Sequence, residues 1–158
     1  MKNRVSVFIV GLIAGIVLSL FMLQLVLPGK MVVEYESKYD FAKTVEAIKT
    51  SAAKNNWSMP HTYDLQATMK KNNFDIQPVK VFSLCKPEHA QKILSGNTVR
   101  AASAIMPCRV SVYEKEGKTY VSMLNAGLAS KFMGKTLKNI LGEVSEESML
   151  ILDSVIKN

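Results

Sequence analysis

Apolar and polar positions fall into three different rhythms along the chain. From Val5 to Leu27 there is no alternation: 23 residues carry no charge, and only Ser6, Ser19 and Gln24 are polar. As a helix this run is about 34 Å long, enough to cross a hydrocarbon layer of roughly 30 Å. Past Pro28-Gly29 a two-residue period begins. In MVVEYES (31–37), Val33, Tyr35 and Ser37 alternate with Glu34 and Glu36, the pattern of a half-buried strand. Phe41, Val45, Ile48 and Ala52 then follow at helical spacing, with Asp40 as N-cap and Asn55-Asn56 as terminator. Residues 57–65 read as a strand, confined by Pro60 to a sheet edge or a bulge. Residues 65–74 read as a short helix, 79–85 as an apolar strand, and Pro87 opens a helix through Leu94. Residues 95–104 form a loop or irregular helix.

Residues 107–124 give the clearest local unit. Val110 and Val112 alternate with Arg109, Ser111 and Tyr113; Thr119, Val121 and Met123 alternate with Tyr120 and Ser122 across a turn at Glu116-Gly117. This predicts a β-hairpin with Cys108 on the inward side. A small helix at 127–133 comes next. Leu137, Ile140, Leu141, Val144, Ser148, Ile151 and Val155 recur at steps of three and four, predicting one amphipathic helix to the C-terminus. The order is β-α-β-(α)-β-α-β-β-α. The expected fold is α+β, a single mostly antiparallel sheet with helices on one face, preceded by one transmembrane helix. Residues 1–30 form the anchor and 31–158 one soluble domain.

Lys2 and Arg4 flank the apolar run on its N-terminal side, favouring an N-terminus inside and a domain outside the cytoplasm, periplasmic in a bacterium. A cleavable signal peptide has a shorter apolar region and a small-residue cleavage site, which this run lacks. Gly11, Gly15 and Ser19 share a small-residue spacing, read as ordinary membrane-helix composition. Net charge is +7; setting aside Lys2, Arg4 and Lys30 leaves 17 basic against 13 acidic residues, or +4. The excess is scattered, without the basic stripe and interleaved aromatics of a nucleic-acid site, so no nucleic-acid partner is expected.

The chain has two cysteines, Cys85 and Cys108, each beside a proline. The strand ends they occupy should bring them close. Outside the cytoplasm a disulfide is one reading. Buried or partly exposed thiols near a pocket is a second. A metal or haem site drawing on Cys85, Cys108, His61 and His89 is a third, without Cys-x-x-Cys or His-x-x-x-His spacing in its support. No nucleophile elbow, phosphate loop, dinucleotide fingerprint or zinc-protease motif is present, and no catalytic residue is assigned. A Cys85–His89 pair is considered, but His61 and His89 are expected to face solvent. Glu143, Glu146 and Glu147 are expected on a solvated helix face. The candidate pocket comprises Cys85, Pro87, Pro107, Cys108 and Arg109. Arg109 is there to hold an anion or, the favoured reading, to pair with an acidic neighbour. Any cofactor is unknown.

"LCKPEHAQKIL" and "MPCRVSVYE", with "DFAKTVEAIKTSAAKNNW" and "YDLQATMKKNNFDI" ahead of them, resemble a bacterial family catalogued as domain of unknown function 302. The likeness covers nearly all of 31–158. Lys86 stands where the family carries asparagine. The resemblance implies a compact α+β domain, often a dimer, and no particular activity. The expected role is a membrane-tethered ligand-binding or accessory module rather than an enzyme. The alternatives are a thiol-redox or metal-handling protein using Cys85 and Cys108, and a structural partner that dimerises.

Overall fold

A computed structural model describes residues 2–26 and 28–157. The chain divides into two compact units, Met1–Met31 and Val32–Asn158. The first holds helix α1 (Lys2–Val26) and the single turn α2 (Pro28–Met31). Within α1, the stretch Val7–Gln24 has a mean hydropathy of 2.5. It is one apolar N-terminal helix of the length and composition that either a membrane anchor or a signal sequence requires.

The second unit is built on one five-stranded sheet, ordered β1-β5-β4-β3-β2 and antiparallel throughout. The strands are β1 (Val32–Glu36), β2 (Ser58–Asp64), β3 (Val79–Cys85), β4 (Cys108–Lys115) and β5 (Lys118–Leu124). Between them run α3 (Phe41–Lys54), α4 (Leu65–Lys71), α5 (Pro87–Leu94) and a 3-10 segment at Arg100–Ile105; α6 (Ala126–Ser130) and α7 (Lys135–Leu152) follow β5. The predicted order holds.

The local signals act as physics requires. The Asp40 carboxylate accepts from the Lys43 amide at 2.8 Å, satisfying one of the free donors of the first α3 turn. Asn56 ends that helix at φ 59°, a left-handed conformation asparagine tolerates. β2 is an edge strand, and its register with β3 slips between Ser58 and His61, around Pro60. A proline there costs no ladder bond that the edge would otherwise make. The hairpin turns at Glu116 (φ 54°) and Gly117 (φ 73°), both left-handed, as two-residue hairpins prefer.

One face of the sheet carries the core residues Phe82 and Leu84 on β3, Val110 and Val112 on β4, and Thr119, Val121 and Met123 on β5, all buried. Against that face pack Val45, Ile48 and Ala52 of α3, Ile93 of α5, and Ile140, Val144, Ile151 and Leu152 of α7. The C-terminus departs from expectation. Helix α7 stops at Leu152, and Val155 is buried in the turn beyond it. Beyond the helix the backbone pairs with the end of β1 and the residues just after it: the Lys38 amide donates to the Val155 carbonyl at 2.9 Å, and the Lys157 amide donates to the Glu36 carbonyl at 3.0 Å. Val155 still meets the core, so its apolar spacing persists although the helix does not.

Candidate functional site

Strands β3 and β4 end together. Leu84 pairs with Cys108 in register, so Cys85 sits one residue beyond the pair, at the point where the chain turns into α5. The Ser58 hydroxyl donates to the Cys85 carbonyl at 2.8 Å and ties the edge strand to this corner. Pro87 opens α5, where its missing N–H costs no helical bond. On the other strand the Met106–Pro107 peptide, which is cis, leads into Cys108.

Beneath this corner, between the sheet, α5 and α7, lies a cavity of 330 Å³. Its inner wall is apolar and comes from several elements, including Trp57, Leu84, Ile93, Leu141 and Val144. The Arg100–Ile105 segment closes one side through Ala102, Ala104 and Ile105. Polar side chains are few: the two thiols, Lys86 and His89; Arg109 borders the cavity, but its guanidinium lies over Tyr63 on the other face of the sheet. This volume and composition fall within the range of small-molecule pockets.

Of the predicted pocket residues, Cys85, Pro107, Cys108 and Arg109 line the cavity. Pro87 is exposed on the first turn of α5 and takes no part in its wall. Cys85 and Cys108 are free thiols, each partly buried. Burial, and then the neighbouring Cys85, push the Cys108 thiol above the usual cysteine range. Arg109 makes no ion pair among the described residues; its guanidinium carbon lies 5.5 Å from the centre of the Tyr63 ring. A cation–π contact thus stands where an acidic neighbour was expected. His61 is exposed on β2, its ring centre 6.2 Å from that of Tyr63. It is absent from the cavity wall, and among the described residues no three His, Cys, Asp or Glu side chains converge as a metal site would require.

His89 and Glu147 contradict the solvated reading. His89 keeps only 7% of its surface exposed and lines the cavity. Its Nε2 meets Glu147 Oε1 at 3.0 Å, and its ring centre lies 6.1 Å from that of Trp57. Glu147 Oε2 accepts from Trp57 Nε1 at 3.1 Å and from Lys86 Nζ at 2.6 Å. One carboxylate therefore ties β2's lead-in, the N-terminus of α5 and the middle of α7 together. The Lys86 ammonium, followed by the His89 and Trp57 donors, holds the Glu147 carboxyl below the usual carboxylate range against the opposing effect of burial. His89 Nδ1 is buried without a hydrogen-bond partner, 3.6 Å from Glu143 Oε2. Lys92 pairs with that same oxygen at 2.8 Å, and its hydrogen bond lowers the Glu143 pKa.

Helical spacing overlooked this cluster because Glu147 flanks the apolar stripe rather than lying opposite it. It is three residues after Val144 and four before Ile151, close enough to the buried seam for its carboxylate to reach over the edge. Trp57 carried a usable signal: the only tryptophan of the chain, placed at the start of a strand, needs a partner for its N–H when buried.

Comparison with known proteins agrees with this architecture. A family model described as "Domain of unknown function DUF302" matches residues 33–155. The crystal structure of an uncharacterised conserved DUF302 protein from Bacillus stearothermophilus superposes with a TM-score of 0.71. The alignment covers 78% of this chain and 97% of that one, at 18% identity. A likeness at that identity speaks to fold alone. No curated protein matches the sequence.

Proposed function

Since the chain belongs to the DUF302 family, a membership that specifies a fold and no reaction, we propose its role from the cavity: a ligand-binding module held to the outer side of a membrane by its N-terminal helix. The observation that carries this reading is a 330 Å³ apolar chamber beside a corner built by two strand ends and a helix N-terminus. Protein interiors are ordinarily filled to crystal-like density, so a chamber of this size with a few convergent polar groups is a binding site by default. The uncharged Val5–Leu27 run and the basic Lys2 and Arg4 ahead of it support the tether and its orientation.

Trp57 lines the chamber and is the sole tryptophan, so its emission reports occupancy directly. A small apolar probe should shift that emission saturably in the wild type. It should not do so in Ala90→Phe, which fills the chamber from α5. An unsaturable response, or one identical in the two proteins, counts against a binding site. Alkaline phosphatase fused after Asn158 should be active in cells; activity from a cytoplasmic reporter alone would reverse the orientation.

A second reading follows from one specific observation, that both thiols line the same chamber. On this reading Cys85 and Cys108 act on a ligand or on each other. Thiol counting under air and under reductant separates the two readings, because two thiols that titrate freely in both states remove a cysteine pair.

A further inference from the structure

Acidic residues are unevenly placed along the domain. Between Glu88 and Glu114, and again between Glu116 and Glu143, the sequence holds no aspartate or glutamate. Both stretches reach one end of the sheet. Val32 pairs with Leu124 there and Leu84 with Cys108, so at that end β1 starts, β5 and β3 finish, and β4 begins. Helix α7 follows the same axis. Its Leu141 and Val144 line the chamber beneath this end, whereas the Val155 carbonyl meets Lys38 beyond the opposite end of β1. Helix α5 runs antiparallel to α7, since Lys86 pairs with Glu147 and Lys92 with Glu143. The C-terminus of α5, the Arg100–Ile105 segment and the turn between α6 and α7 therefore belong to the Val32–Leu124 end.

This end is apolar and cationic at its surface. Val32, Leu94, Ile105, Leu124 and Phe132 are all exposed large hydrophobic residues. Arg100, Lys131, Lys135 and Lys138 are exposed too and make no ion pair among the described residues. Nearby carboxylates are already taken: Glu34 by Lys115 at 2.7 Å and Glu143 by Lys92 at 2.8 Å. Apolar side chains set among unpaired cations complement an anionic lipid surface. The hydrocarbon enters the boundary between headgroups and acyl chains, and each cation near the surface strengthens association roughly fivefold. Covalent continuity points the same way. Val32 lies five residues after Leu27, the last of the uncharged run, or at most about 18 Å of extended chain. We propose that this end of the domain docks on an anionic bilayer, with Phe132 and Ile105 entering the headgroup layer among Arg100, Lys131, Lys135 and Lys138. This rests on the reading of the N-terminal helix as a tether and adds the surface that meets the lipid.

The test reconstitutes the full chain in vesicles of phosphatidylcholine with brominated acyl chains, with and without phosphatidylglycerol. Phe132→Trp puts a reporter on the docking end, and Phe74→Trp puts one at the opposite end, in the loop ahead of β3. The two phenylalanines are matched, at 64% and 63% exposed. Wild type supplies the Trp57 background. With phosphatidylglycerol present, bromine should quench the reporter at position 132 and spare the one at 74. Raising salt from about 0.1 M to 1 M shortens the screening length from about 10 Å to 3 Å and should release that quenching. Lys131→Gln, Lys135→Gln and Lys138→Gln together should lower the docked-to-free ratio by roughly a hundredfold and return position 132 to its phosphatidylcholine level. Quenching at both positions alike, at neither, or at 132 equally in the two lipids overturns the docking. Flotation tests the tether separately. A wild-type chain that does not float with phosphatidylcholine vesicles has no tether; quenching at 132 that appears only with phosphatidylglycerol then still supports the docking, and its absence overturns it. Amide exchange on the wild type needs no substitution: phosphatidylglycerol should slow it at residues 94–105 and 131–135 and not at 72–78, and unchanged exchange counts against the proposal.

Discussion

Glu147 is the joint on which the cavity wall depends, and replacing it with glutamine isolates its charge from its shape. In the wild type one carboxylate receives three donors: Trp57 Nε1 at 3.1 Å, Lys86 Nζ at 2.6 Å and His89 Nε2 at 3.0 Å. The glutamine carbonyl can replace only one of the two oxygens. If it faces Trp57 and Lys86, its amide confronts His89; reversed, it confronts the indole and the ammonium. In the first arrangement His89 must change tautomer to accept the amide at Nε2, moving its proton to Nδ1 beside Glu143; in the second, two donors lose their acceptor; in both, the remaining bonds lose their ionic component. A hydrogen bond to a charged group contributes about 1.5–3 kcal/mol, and an unpaired buried donor costs about 1–3 kcal/mol. The Glu147 side chain is 30% exposed, so water recovers part of this. The expected net loss is about 2–3 kcal/mol at neutral pH. At a urea m-value of about 2 kcal/mol per M, the unfolding midpoint falls by roughly 1–1.5 M. Trp57 fluorescence follows the transition and also reports the loss of the indole bond before unfolding begins. Glu146→Gln, on the exposed neighbour, serves as control and should stay within about 0.5 kcal/mol of wild type. If Glu147→Gln unfolds within that same margin, the cluster is not what fastens α5 to α7.

Acid should reproduce part of that loss. The Glu147 carboxyl titrates below its unfolded value in the folded chain, so its contribution is complete above about pH 4.3 and disappears as the pH falls further, through the folded value. Wild-type stability should therefore drop below that pH more steeply than that of Glu147→Gln; parallel profiles would disprove the linkage. In the core, Phe82→Ala removes a ring with no exposed surface and should cost about 3–5 kcal/mol by urea denaturation; a cost under about 1 kcal/mol would mean that the helices do not close on that face. Gly117→Ala forces an L-residue to φ 73° and should cost about 1–2 kcal/mol with no change in cavity occupancy; a neutral result would argue against the left-handed turn. In a Cys85→Ser variant, the partly buried Cys108 thiol should react with iodoacetamide at mildly alkaline pH at least roughly tenfold more slowly than free cysteine, and a rate equal to that of the free thiol would show that the corner is open.

The succession of strands and helices was legible in the sequence because local rules govern it. Asp40 caps, asparagine and glycine accept left-handed backbone, and the two-residue alternation of 108–124 can bury one face of a strand and not the other. Pro60 even marked β2 as an edge or a bulged strand, and it is both, since proline has no amide to give a neighbour. The apolar Val5–Leu27 run needs no fold to be recognised, only the length of a helix. What the one-dimensional pattern left undecided was which polar side chains become inward-looking. His89 lies in a short helix beside Glu88 and Glu147 sits near two other glutamates, so neighbouring residues mark both as solvated. His89 is buried and Glu147 is turned inward because α5 packs against α7, and because Lys86, His89 and Trp57 reach one carboxylate from separate elements. The cavity is likewise a property of packing: its walls come from residues 57 to 144, and no periodicity records whether side chains so distant in sequence fill the space between them or leave it open.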